Sequence, residues 1–174
     1  VLKPCQHPLE FATEQRFEPV DKGEETDTDV YRIAVFMSPL DVHVNCSPMA
    51  ATIERMEHRT GKGMKRGPFR PAYKKESEYN ERVRPVFVDE QGLRIEVTQI
   101  SGALARTIVP WQGIGDSMRR GQRYGMIRLG SRVDLRAPAA LFEPAVVSAE
   151  MAQEKHPKGE FVQAGSSVLF NPRT

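Results

Sequence analysis

The stretch GMIRLGSRVDLRAP, residues 125–138, places a glycine beside a hydroxyl nucleophile, Gly130-Ser131, within what otherwise reads as one continuous strand. Glycine inside a strand loses backbone entropy and packs nothing, so its presence there asks for a reason. One reason is chemical. The hydroxyl of a serine can add to the carbonyl carbon of the residue before it, breaking the amide and leaving an ester with a free α-amine. Glycine suits the preceding position because it tolerates unusual dihedrals and crowds its carbonyl least. The step needs a base for the hydroxyl and a donor for the oxyanion. If the ester then loses its carboxylate by β-elimination, the serine becomes dehydroalanine, and hydrolysis with loss of ammonia leaves a pyruvoyl group at a new N-terminus. Such a carbonyl accepts an amine and draws electrons from a departing carboxylate, as pyridoxal phosphate does. Taken alone, the pair reads as a β-bulge carrying an ordinary serine.

The elements that would hold such a junction are strands. Thirteen prolines and thirteen glycines punctuate short apolar stretches rather than bounding long amphipathic helices. VYRIAVFM (30–37) is rich in β-branched and aromatic residues and ends at Ser38-Pro39. Residues 83–88 and 93–100 flank the turn Asp89-Glu90-Gln91-Gly92 and read as a hairpin. In its second strand Leu93, Ile95 and Val97 alternate with Arg94, Glu96 and Thr98, which predicts one buried and one wet face. Further short strands are expected at 103–109, 124–129, 133–135 and 167–170, and helices only around 76–82 and 144–155. The fold class expected is mainly β, antiparallel sheets forming a barrel- or sandwich-like single domain over 1–174, with one or two short helices.

Composition excludes several classes. A net charge of +2 gives no global argument for nucleic acid. No apolar run approaches the roughly 20 residues of a membrane span, and no signal-peptide pattern is present. The chain begins at Val1, so a membrane anchor, if there is one, is expected upstream of it. Cys5 and Cys46 and the four histidines lack metal-site spacing, so no metal is expected. GIGDSMRRG (113–121) lacks the spacing of a phosphate-binding glycine motif and reads as a turn. Residues 18–29 read as an acidic solvated loop. The basic loop 58–75 reads first as a flexible surface loop and second as a contact for anionic lipid head groups. Only Phe69 and Tyr73 could stack bases there, which makes RNA the weaker option.

FMSPLDVHVNCSP (36–48), EYNERV (78–83), QISGALARTI (99–108) and RGQRYGMIRLGSRVDL (120–135) occur in that order. Together they resemble the phosphatidylserine decarboxylase family, in particular its shorter bacterial and archaeal branch. The resemblance covers most of 30–136 and continues loosely to VQAGSSVLF. It implies a proenzyme that cuts itself between Gly130 and Ser131, giving chains 1–130 and 131–174. It also implies a pyruvoyl cofactor made from Ser131, with no metal. The activity implied is conversion of a phosphatidylserine-type lipid to its ethanolamine form with release of CO2. The partners implied are a phospholipid at the cytoplasmic face of a membrane, where the protein would be peripheral, and a second copy in a homodimer; nucleic acid is not among them.

The same resemblance places His43, in SPLDVH, beside the active site, with Asp41 in the same motif, and Asn80-Glu81-Arg82 close by. Histidine gains and loses a proton near neutral pH, so His43 suits a base or proton donor. Longer members carry a second histidine three residues on, where this chain has Cys46. An upstream aspartate that supports the cleavage histidine matches Asp21 in one alignment; in the other, Gln6 occupies its place. Gln6 and Cys46 motivate an alternative, a non-processing member that binds a ligand or performs chemistry without a pyruvoyl group.

Overall fold

Strands β1 (Glu10–Glu14) and β2 (Val30–Met37) open the computed structural model, which describes residues 30–59, 80–102, 106–128, 130–146 and 161–173 and the backbone of 10–14. The chain continues through β3 (Val44–Cys46), β4 (Ala51–Arg59), β5 (Arg82–Val88), β6 (Arg94–Ile100) and β7 (Ile108–Pro110). It closes with β8 (Ser117–Met118), β9 (Arg123–Ile127), β10 (Ser131–Pro138), β11 (Phe142–Pro144) and β12 (Phe170–Pro172). The β5–β6 hairpin is closed by Asp89, whose Oδ1 accepts the amides of Gln91 and Leu93, and by Gly92 at φ +83°. That left-handed conformation is the one glycine adopts without a steric cost.

Seven strands form one antiparallel sheet in the order β1-β2-β10-β6-β5-β4-β8, and three form a second, β3-β9-β7. A β11–β12 pair completes the pattern. The small sheet packs on one face of the large one. Ile33 and Met37 of β2 and Val83 of β5 share a buried cluster with Ile108 of β7 and Ile127 of β9. A second cluster joins Phe87, Val97 and Leu135 to Tyr124 of β9, whose ring meets Phe87 edge-on at 5.3 Å. This shared apolar layer is the principal favourable term of the fold.

The other face of the large sheet departs from the sequence expectation. Glu96 and Thr98 are buried, not wet. Glu96 is 0 % exposed because Arg84 lies 2.7 Å from its Oε1 and Arg136 pairs with the same oxygen from the neighbouring strand. Two residues along β10, Arg132 grips Asp134 through two bonds of 2.6 and 2.7 Å. Charges of opposite sign on adjacent strands cover one another, so a face written in polar residues is nevertheless closed to water.

Among the described residues there is no helix. Of the two expected helices, 80–82 is an irregular entry into β5 and 144–146 the end of β11; the remaining residues of both lie outside the described ones. Of the strand expected at 103–109, residues 103–105 lie outside the described ones, 106–107 are irregular and β7 starts at Ile108; that at 167–170 is displaced to Phe170–Pro172. The expected turn at 113–121 contains two turns with β8 between them. The acidic loop up to residue 29, Asp21, Gln6 and most of the basic loop 58–75 also lie outside the described residues.

Candidate active site

Gly130-Ser131 does not interrupt a strand. Strand β9 ends at Ile127 in the small sheet and β10 starts at Ser131 in the large one, so the pair is where the chain crosses between sheets. The crossing explains the glycine: Gly130 has φ +64°, a region in which a side chain costs about 1–2 kcal/mol. Space is not the reason, since a Cβ there would meet nothing nearer than Pro39 Cγ at 3.9 Å.

A single turn brings the site together. After β2 the chain reverses through Ser38–Asp41, where the Asp41 amide donates to Ser38 O at 3.0 Å and Asp41 Oδ2 accepts the Ser38 amide at 2.7 Å. The reversal returns His43 to the junction. Its carbonyl accepts the Ile127 amide at 3.0 Å, and its ring Nε2 accepts the Gly130 amide at 2.9 Å. The other ring nitrogen, Nδ1, lies 2.8 Å from the Asp41 carbonyl oxygen. A carbonyl can only accept, so Nδ1 carries the proton and Nε2 presents its lone pair to the junction. The tautomer is therefore set by the backbone of the same turn.

Ser131 is 1 % exposed and pairs in register with Met37, whose Sδ lies 4.0 Å from its Oγ. A thioether is a weak acceptor. The structure thus brings His43, Asp41, Gly130 and Ser131 to one place. Within it, the Asp41 carboxylate caps its own turn and its carbonyl, not its carboxylate, holds the histidine; Asp41 Oδ1 is buried without a hydrogen-bond partner. Cys46 is not brought in. It is exposed at the end of β3 and makes no hydrogen bond to His43 or Gly130. Partial desolvation raises its thiol pKa, with Arg123 acting in the opposite direction, so it offers no ready thiolate.

The sequence reading missed two buried polar groups at the end of β6, the strand next to β10. On the inner face of β6, Gln99 donates to Asn45 Oδ1 of β3 at 2.7 Å while its own Oε1 is buried and unpartnered. Ser101 is 0 % exposed with an unpartnered Oγ. Asn80 Nδ2 donates to Ser101 O at 2.8 Å and the Ser101 amide donates to Glu81 O at 3.0 Å, so Asn80-Glu81 position Ser101. Only the register of β6 against β10 could have singled these out. Among the described residues no group of three or more His, Cys, Asp or Glu side chains is placed to hold a metal ion.

These features define a mainly β protein whose buried serine follows a left-handed glycine that a neutral histidine holds by its amide. The chain belongs to the phosphatidylserine decarboxylase family, whose profile matches residues 10–169. It is 48% identical over 115 residues to a phosphatidylserine decarboxylase proenzyme of Thermobifida fusca, covering 66% of this chain and 49% of that protein. A proenzyme of the same name from Erythrobacter litoralis is 41% identical over 143 residues, 82% of this chain and 51% of that protein. A Methanosarcina acetivorans protein provisionally named archaetidylserine decarboxylase proenzyme is 37% identical over 161 residues, 92% of this chain and 68% of that protein. The chain spans about half the length of the bacterial relatives it matches. No solved structure matches it.

Proposed function

We propose that the protein cleaves itself between Gly130 and Ser131 and then decarboxylates a phosphatidylserine-type lipid. The observation that carries this reading is the His43 lone pair, 2.9 Å from the Gly130 amide nitrogen, in the residue whose carbonyl would be attacked. Ser131 Oγ adds to the Gly130 carbonyl carbon as His43 Nε2 takes the hydroxyl proton. The Gly130–Ser131 amide breaks, its nitrogen takes up a proton, and an ester joins the two residues. Loss of the Ser131 α-proton then expels the Gly130 carboxylate. Hydrolysis of the resulting dehydroalanine releases ammonia.

The surroundings suit a pyruvoyl group made from Ser131: the position is buried, and on the adjacent strand and its end two buried polar atoms, Gln99 Oε1 and Ser101 Oγ, have no partner. When formed, that group supplies a carbonyl that holds a substrate amine and accepts the electrons released as the carboxylate departs. His43 holds or returns a proton beside it, and Asp41 keeps the imidazole in register. Names of relatives support a lipid with a serine head group, of phosphatidyl or archaetidyl type. On this reading the protein works as a peripheral homodimer at the cytoplasmic face of a membrane, with the basic loop 58–75 toward anionic head groups. The two products of cleavage, 1–130 and 131–174, remain one domain, since β10 is paired on both sides within the large sheet.

Intact-mass analysis tests the proposal. The expected result is two chains, one ending at Gly130 and one beginning at Ser131. Borohydride reduction with an amine substrate should label the smaller chain. A single full-length chain, unlabelled, overturns it. One observation favours a second reading, a non-processing binding protein: Ser131 Oγ rests on a thioether rather than on a base. On that reading Ser131→Ala leaves ligand binding unchanged, and both proteins remain one uncut chain.

A further inference from the structure

The mechanism above gives Ser131 a base but nothing that aims its oxygen. The hydroxyl points to Met37 Sδ at 4.0 Å, and the imidazole lone pair is occupied by the Gly130 amide. Something must turn Oγ toward the Gly130 carbonyl, and a hydrogen-bond donor on the inner face of the large sheet would do so.

Register identifies one. Strands β10 and β6 are antiparallel, with Val133 opposite Gln99 and Arg132 opposite Ile100. One step further places Ser131 opposite Ser101. The ladder on the other side of β6 runs that far, because the Ser101 amide donates to Glu81 O just beyond the Arg82–Ile100 pair. Residues directly opposite in an antiparallel pair share a face, with Cβ atoms roughly 4.5–5.5 Å apart. Ser101 therefore shares the inner face with Ser131, Met37 and Gln99. It is wholly buried, and its hydroxyl has no partner, an arrangement that buried polar groups seldom adopt.

We infer that Ser101 is a positioning residue for self-cleavage: its hydroxyl donates to Ser131 Oγ and turns that oxygen from the Met37 sulfur toward the Gly130 carbonyl. Ser131 keeps its own proton for His43, so the bonds made and broken are those already described, and Ser101 is unchanged at the end. The Asn80 side-chain amide, donating to Ser101 O, and the Ser101 amide, donating to Glu81 O, fix the backbone that carries the donor. This inference rests on the proposed self-cleavage.

The test compares wild type with Ser101→Ala and Ser101→Thr, following conversion to two chains by gel and intact mass. In the uncleaved structure the Ser101 hydroxyl has no partner, and on this inference it gains Ser131 Oγ only as that oxygen turns to attack, so Ser101→Ala should melt at or above the wild-type temperature. Its cleavage should nevertheless slow by roughly tenfold, the worth of about one hydrogen bond. Ser101→Thr retains the donor and should recover most of the rate. The pH profile should keep its shape, because His43 sets it. Hydroxylamine, which intercepts the ester, should cut Ser101→Ala about tenfold more slowly as well, since ester formation is the step affected. Equal rates in wild type and Ser101→Ala overturn the inference alone, and so does full rescue by hydroxylamine. A wild-type chain that never cleaves overturns the proposed function and the inference with it.

Discussion

His43 holds the junction and, in the proposed self-cleavage, also serves as the base; replacing it by glutamine separates the two roles. The imidazole accepts the Gly130 amide at 2.9 Å through Nε2 and donates to the Asp41 carbonyl at 2.8 Å through Nδ1. Each bond contributes about 1 kcal/mol net, so His43→Ala should cost about 2 kcal/mol. In a chain of this size that lowers the melting temperature by about 4–8 °C. Glutamine offers a carbonyl oxygen to the Gly130 amide and an amide group that can reach a neighbour, so His43→Gln should cost about 1 kcal/mol or less. Neither residue can take a proton from Ser131 Oγ. Loss of a general base slows such a step by about 10²–10⁴-fold, and both variants should show that loss. Stability is read from thermal unfolding and cleavage from the time course of two-chain product after synthesis. The reasoning is refuted if His43→Gln cleaves within about threefold of wild type, or if cleavage across the three proteins simply follows melting temperature.

Glu96→Ala should lower unfolding free energy by about 3–5 kcal/mol, because it removes the buried carboxylate that Arg84 and Arg136 share; a loss below about 1 kcal/mol in urea titration would contradict the buried network. The Glu54 carboxyl lies below its ordinary pKa of 4.5, first through its hydrogen bonds from Arg94, against a smaller opposing desolvation. Its folded pKa is the lower one, so its contribution is present above about pH 4.5 and fades as pH falls through the folded value. Urea midpoints of wild type and Arg94→Gln should therefore converge on acidification, and a gap independent of pH would count against the assignment.

Much of the fold was legible because strand chemistry and turn chemistry agreed. Val30–Met37 carries β-branched residues up to a Ser-Pro stop, and β2 has those same ends. Asp89 and Gly92 wrote the hairpin that joins β5 to β6. Other elements were obscured by the same physics. Strand β4, ATIERMEHR, has too many charged residues to look like a strand, yet it pairs with β5 along most of its length. Glu96 reads as solvent-facing because alternation cannot reveal that arginines on two neighbouring strands will close over it. At the site, Gly130-Ser131 and His43 were visible as residue types and by resemblance. The bond from the Gly130 amide to His43, and the adjacency of β6 and β10, depend on pairings between segments far apart in the chain, which no local pattern encodes.

The position of the junction follows from the same topology. Inside either sheet, the amide of Gly130 would belong to a neighbouring strand, and its carbonyl would be fixed in a pleat. Between sheets, neither constraint applies. Strand β9 makes its last small-sheet contacts at Ile127 and Arg128, whose amides go to His43 O and Thr107 O, and β10 begins its pairing at Ser131. The Gly130 amide is left for a side chain, and Gly130 takes its left-handed conformation between the two ladders. A backbone carbonyl held by no strand can be attacked without first breaking a sheet hydrogen bond, while the flanking strands keep both ends in place afterwards. If the proposed self-cleavage occurs, a crossing of this kind lets one bond break while both flanking sheets stay paired. Moving the pair two residues into β10 should therefore abolish cleavage even with His43 intact.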